Sequence, residues 1–304
     1  MEDNKETFSD EVTLNELFQI LWAGKWRIIT FTFIASVIVV FYSLSLPNIY
    51  RSEALLTPVV AENGLSGSLE NLGGLGALAG DVFGGESSDS NSAQAMEKFT
   101  SLSFFTNQIM PQIFLPNLVA VESWSPGTNI ISYDDEVYDT DSETWTREYS
   151  FPQTPEPSAQ EGHRAFLEHL SVTKDLKSGF VTLAVEHQSP VIAQKWASLV
   201  LSEINSYYRK KDKIVGEASI SYLKEQAATT GYTEIRKVIA DLAQRETQKL
   251  TLIEASEFYV FDVIDPPAVM ERKHSPVRSI ICIVGAIIGG FMGVLSVLFR
   301  HYFR

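Results

Sequence analysis

Two uncharged apolar runs near the ends of the chain decide what it can become. Residues 28–46 read IITFTFIASVIVVFYSLSL, nineteen residues without a charge, the length a helix needs to cross the hydrocarbon core of a bilayer. Pro47 ends the run. Trp22, Lys25, Trp26 and Arg27 precede it, an aromatic and cationic mixture suited to the headgroup layer. The run starts late, is long and has no small-x-small site after it, which argues against a cleaved signal peptide. A second run, residues 280–299, follows Ser275-Pro276, a pair expected to act as N-cap and first turn. Two spans put both termini on one side. Lys25, Arg27, Arg300 and Arg304 flank the termini while Arg51, Arg272, Lys273 and Arg278 flank the loop, so basic residues tie and do not orient the chain. The expected layout is an N-terminal segment 1–27, a span 28–46, an extramembrane domain 47–278, a span 279–299 and a tail 300–304.

The formal net charge of −14 disfavours an electrostatic grip on nucleic acid or on an anionic bilayer surface, since each needs a basic patch. The single cysteine, Cys282, falls inside the second run, so no intrachain disulfide is available. Upstream of the first run, Thr13 to Glu16 has capping-box spacing, with Val12 and Leu17 placed for a hydrophobic staple. Leu14, Leu17, Phe18, Leu21 and Trp22 then repeat at three and four, which predicts a short amphipathic helix.

Between the runs, residues 49–59 read as a strand and residues 64–85 are rich in glycine. No lysine lies between Arg51 and Lys98, so a phosphate-cradling loop is not expected there. Residues 91–109 predict a helix, broken by Pro111 and Pro116. Asp134, Asp135, Glu136, Asp139, Asp141 and Glu143 suggest a calcium loop, but Thr144 stands where the turn glycine is needed and Ser150 where the bidentate glutamate is needed. A solvated acidic loop is expected instead. Ser158 and Glu161 form a second capping box opening a helix to about Leu170. Residues 171–176 and 180–187 alternate across Lys177-Ser178-Gly179, a hairpin signal. Ser189-Pro190 predicts the start of a helical segment running to Ser256, with Gly216 and Gly231 as its weak points. As one rod it would reach about 100 Å, beyond what a small domain can cover, so Leu199, Leu223 and Ile235 are expected to contact another subunit. Residues 258–264 predict a buried strand before Pro266 and Pro267. In the second span Gly285, Gly289 and Gly293 fall four apart and line one face, expected to receive the first span through Thr32, Ser36 and Ser43. No His, Cys or Ser constellation has catalytic or metal-ligating spacing, so neither an enzyme nor a cofactor is expected.

Five stretches together resemble the Wzz-type chain length determinants, polysaccharide co-polymerases of Gram-negative inner membranes. They are LNELFQILWAGKWRII, LPNIYRSEALLTP, LKSGFVTLAVEHQSPVIAQKWASLVLSEIN, the helix from ISYLKEQ to VIDPP, and ERKHSPVRSIICIVGAIIGGFMGVLSVLFR with its family prolines Pro266, Pro267 and Pro276 beside and within it. The acidic stretch 118–157 has no counterpart in that resemblance. The resemblance implies a membrane-anchored α+β protein: two transmembrane helices flank a periplasmic domain with an α/β base (residues 47–188 and 257–278) and long helices (189–256). It implies a homo-oligomer with cytoplasmic termini. The assembly sets the length of O-antigen or a related lipid-linked glycan, in lipopolysaccharide biosynthesis, beside a separate integral-membrane polymerase. Rival readings are an export co-polymerase for capsule or exopolysaccharide with a separate tyrosine kinase, a periplasmic glycan-processing enzyme, and a two-span sensor. The sensor is disfavoured because about two dozen residues precede the first span and about five follow the second, leaving no room for an output domain.

Overall fold

The computed structural model describes residues 14–59, 88–255 and 258–303, without the side chains of 14–17, 88–91 and 302. The capping box at Thr13, its staple and the glycine-rich stretch 64–85 lie outside the described residues. The chain divides into two units, Met1–Asn48 with Lys273–Arg304, and Ile49–Arg272.

The first unit holds α1 (Leu14–Ala23), α2 (Lys25–Ser45) and, from the far end of the chain, the last helix, Arg278–Tyr302. Gly24 separates α1 from α2, and Arg27 N donates to its carbonyl across the joint at 2.9 Å. The last helix starts two residues beyond Pro276, and Val277 rather than Ser275 occupies its N-cap with no side-chain hydrogen bond. Ser275-Pro276 therefore precedes the helix instead of capping it.

The second unit is built on a four-stranded antiparallel sheet in the order β6-β7-β1-β8, from β1 (Tyr50–Pro58), β6 (Leu170–Lys174), β7 (Val181–His187) and β8 (Phe261–Asp265). Alternation fixes the register: Ala54 pairs with Leu183, and Leu183 with Val172, so the inward positions Ser52, Ala54, Leu56, Val181, Leu183 and Val185 share one face. The β6–β7 turn is held by Asp175, whose Oδ1 accepts from Lys177 N at 2.8 Å, and by Gly179 at φ +76°. β8 is an edge strand; over the stretch 258–264 expected to be a buried strand, Val260 and Phe261 are buried while Asp262 and Ile264 are exposed.

Helices cover the inward face. The stretch expected as one helix over 91–109 breaks at Thr100. It gives α3 (Ser88–Phe99), then α4 (Leu102–Phe104), a π-helical turn Phe105–Ile109 and a 3-10 turn Met110–Gln112. Ser101 causes the restart: its hydroxyl accepts from Phe104 N at 3.3 Å as an N-cap. The break sends Phe99, Phe104, Phe105 and Ile109 all inward. After α5 (Pro116–Val119), the acidic stretch folds into two short ribbons, β2–β3 (Val121–Ser125, Ile130–Tyr133) and β4–β5 (Tyr138–Asp139, Thr144–Trp145), where a loop was expected. α6 (Ala159–His169) opens with a complete Ser158–Glu161 capping box.

The segment 190–255 is two helices, α7 (Pro190–Thr229) and α8 (Thr233–Ala255), and α8 packs back along α7. The segment is not one rod, and its break falls at Gly231, one of its two expected weak points. The chain reverses over Thr230-Gly231-Tyr232, and the hairpin arms measure about 60 Å and 35 Å at 1.5 Å per residue. Gly216 is no weak point. A Cβ there would lie 2.7 Å from Leu250 Cδ2, so its missing side chain lets α8 approach. Ser189 sits at the N-cap of α7 but its hydroxyl makes no capping bond; its N–H donates instead to His187 Nδ1 at 2.9 Å. The last helix, Arg278–Tyr302, is α9.

Candidate functional site

Within the first unit α2 and α9 run antiparallel in close contact, and small residues set the spacing. A Cβ on Gly285 would meet Val39 Cγ2 at 2.5 Å, on Gly289 Ala35 Cβ at 2.5 Å and Thr32 Cα at 3.1 Å, and on Gly293 Ile28 Cα at 2.8 Å. The stripe continues to Val297, which packs over Gly24. Every fourth residue of α9 from Gly285 to Val297 is buried. Such contacts bring two backbones together, which drives helix association where no hydrophobic gain is available. Thr32 is half-buried beside the groove and its hydroxyl donates to Ile28 O at 2.8 Å. Ser36 is half-buried, and Ser43 is buried with a hydroxyl that has no partner among the described residues. The outer faces carry exposed Ile29, Phe33, Phe41, Ile287 and Phe291, which suit lipid and not water. At one end of the pair, Arg278 Nη2 donates to Leu46 O at 3.3 Å and to Asn48 Oδ1 at 3.2 Å, closing the last turn of α2.

In the second unit α7 contributes Trp196, Ala197, Val200, Ile204 and Tyr208 to the core, after which Gly216 is the only buried residue of the helix. Leu199 is half-buried against the same core. Leu223 is half-buried farther along the hairpin, and Ile235 is half exposed on α8. Val215 and Tyr222, seven apart on α7, and Ile235 and Val238, three apart on α8, leave apolar surface uncovered. The hairpin is clamped by a Lys213–Glu254 ion pair, which raises the lysine and lowers the carboxyl. Tyr259 donates its hydroxyl to Asp212, and burial pushes that phenol well above its ordinary range.

A residue that sequence reading did not single out ties hairpin to sheet. Buried Asn205 accepts at Oδ1 from the backbone N–H groups of Tyr259, Val260 and Phe261 at 3.1, 2.8 and 3.2 Å, and donates to Leu201 O at 3.1 Å. Three donors at the entry to β8 thus converge on one amide. No spacing rule marks such a residue. His187 is the second. Its Nδ1 accepts from Ser189 N and its Nε2 donates to Asn117 O at 2.9 Å, which fixes the neutral tautomer, and burial pulls its pKa down to about 4. Of the prolines, Pro266 and Pro267 end β8, and Gln194 reaches Pro267 O at 3.5 Å. Pro276 lies in the other unit, half-buried.

The ribbons of the acidic stretch enclose an aromatic group: Phe114, Tyr133, Tyr138 and Trp145 meet edge to face with centroids 5.1 to 6.2 Å apart. Arg147 anchors this stretch to α6 through a bidentate pair with Glu161 at 3.0 Å, holding that carboxyl down to about 2. Among the described residues no three His, Cys, Asp or Glu side chains gather as metal ligands.

Two long apolar helices from opposite ends of the chain, with a mixed helix-and-sheet domain between them, define a two-span membrane-anchored α+β protein. Residues 10–107 match the family model of the Wzz chain length determinant protein. The matched segment contains the first two of the five stretches that carry the resemblance. Two solved structures are similar at 14% identity each. One, a full-length bacterial polysaccharide co-polymerase, covers 96% of this chain and 98% of its own at a TM-score of 0.40. The other, a fragment of WzzB, a polysaccharide co-polymerase from Salmonella Typhimurium, covers 75% of this chain and 100% of its own at a TM-score of 0.32. No curated protein matches the sequence.

Proposed function

We propose that the protein regulates the chain length of a lipid-linked polysaccharide, O-antigen or a related glycan, as a non-catalytic homo-oligomeric scaffold beside a separate integral-membrane polymerase. The observation that carries this reading is the chain length determinant match over the first span and the strand that follows it. In this reading residues 47–278 lie in the periplasm and both termini in the cytoplasm. The α2–α9 pair anchors each subunit. The uncovered apolar residues of the hairpin, Val215, Tyr222, Ile235 and Val238, meet neighbouring subunits, since water-exposed apolar stripes of this kind favour association. The deciding experiment is a lipopolysaccharide gel from a gene-deletion strain with and without complementation. Loss of the modal length with polymer still made supports the reading, while an unchanged ladder or the complete loss of polymer overturns it.

A further inference from the structure

The acidic stretch 118–157, which has no counterpart in the family resemblance, builds one wall of a cleft. The cleft encloses about 460 Å³ between Met110–Pro116 and the β4–β5 ribbon, within the range of small-ligand sites and too small for a folded partner. Tyr138, 5% exposed, is its floor. Half-exposed Phe114 and half-buried Trp145 stand against that floor at 5.9 and 5.1 Å between ring centroids. The rim carries Glu143 and Glu156. Neither carboxylate has a hydrogen bond or ion pair among the described residues, and neither has the indole N–H of Trp145. Asp139 fixes the turn that presents Glu143: its Oδ1 accepts from Asp141 N at 2.9 Å and its Oδ2 from the Ser142 hydroxyl at 2.6 Å.

We propose that this cleft binds a neutral pyranose unit of the polysaccharide. The choice of ligand rests on the function proposed above; the choice of site does not. A pyranose presents polarised C–H bonds on one face and hydroxyls around its edge. The C–H face packs on aromatic rings, whose faces carry negative charge. Hydroxyls donate to free carboxylates and accept from an indole N–H, the donor and acceptor set left open on this rim. Other ligand classes fit less well. An anionic sugar meets two carboxylates on a chain of net charge −14. A lipid tail would strip water from both carboxylates with nothing in return. A cationic peptide would satisfy the carboxylates but would leave the indole donor without an acceptor.

The test uses the full-length protein in lipid nanodiscs, free of glycoside detergents, with saturation-transfer NMR and titration of four probes. Chitotriose and maltotriose are neutral, trigalacturonate is anionic, and triarginine is cationic. At least one neutral trisaccharide is expected to receive saturation, with trigalacturonate at least tenfold weaker. Trp145→Ala should weaken binding at least tenfold and Glu143→Gln with Glu156→Gln about threefold. Where Trp145→Ala unfolds the ribbon by circular dichroism, Trp145→Phe and Phe114→Ala serve instead. The former retains a ring without the donor and should lose about threefold, the latter about tenfold. No transfer to either neutral probe, stronger binding of triarginine, or unaltered affinity in the ring variants overturns the site. The deletion-strain gel separates the two ideas. A lost modal length with no sugar binding retains the proposed function and rejects the cleft, and sugar binding with an unchanged ladder does the reverse.

Discussion

Gly289 and Gly290 are neighbours in α9, yet alanine should act on them in opposite directions. A Cβ at position 289 would sit 2.5 Å from Ala35 Cβ, 3.1 Å from Thr32 Cα and 3.3 Å from Phe31 O. Carbon atoms rest at about 3.5–4.0 Å, so the helices must part by about 1 Å, because Ala35 Cβ and two backbone atoms cannot rotate away. Overpacking of this kind costs about 1–3 kcal/mol. At position 290 the nearest atom is Thr32 Oγ1 at 3.6 Å, an ordinary contact. There the substitution keeps the packing and gains helix propensity, at most about 1 kcal/mol. The assay is energy transfer between dyes on Ser45→Cys and Ser279→Cys in a Cys282→Ser background, during unfolding in mixed micelles. Both sites are exposed, and the Arg278–Leu46 contact places them at the same end of the pair. Gly289→Ala should shift helix separation to milder conditions by about 1–3 kcal/mol, with Gly290→Ala neutral or stabilising. Equal behaviour of the two variants would falsify the claim that backbone proximity at the glycine stripe holds the pair together.

Three further outcomes follow from the second unit. Asn205→Ala strands three backbone donors and should lower stability in urea unfolding by about 3 kcal/mol, while Asn205→Asp, which retains the acceptor, should lose less. His187 is held neutral, with its folded pKa of about 4 below the ordinary 6.5. Its contribution is therefore intact above pH 6.5 and is lost as pH falls toward 4, on the order of 3 kcal/mol by linkage; His187→Gln should flatten urea midpoints across that window. Gly216→Val should splay the helical hairpin and lower its thermal midpoint, and Leu250→Ala in the same chain should restore much of the loss, a coupling that a double-mutant cycle reads directly.

The parts of the fold written into local spacing were legible. Ser158 and Glu161 announce a helix start that needs no tertiary help, and Lys177-Ser178-Gly179 announces a reversal because only glycine adopts φ +76° without strain. The two spans and β1 were equally plain. What failed were events decided by packing. Gly231, read as a weak point, is where the helix breaks, but helices tolerate a lone glycine, so nothing local says that the second helix folds back along the first. Gly216, read as a flaw, is a contact whose partner lies 34 residues away at Leu250. Ser101 restarts a helix between Phe99 and Phe104, and the restart turns Phe104 and Phe105 both inward, which only the packed core decides. The aromatic cleft escaped notice since its three rings, Phe114, Tyr138 and Trp145, are scattered among acidic residues, and only the folding of the ribbons brings them together.

The unequal helices of the hairpin carry a consequence for descent. The core residues of α7 end at Tyr208 and its last tie to the strand entry is Asp212, while past that point the two helices chiefly face each other, so a whole turn added to α7 beyond Asp212 and matched by one in α8 would leave the sheet, the Asn205 hub and the strand entry untouched. An unmatched insertion would rotate Gly216 off Leu250 and break the seam. Homologues of differing reach should therefore differ by paired insertions on either side of Gly231, in steps of three or four residues, with the base conserved in length.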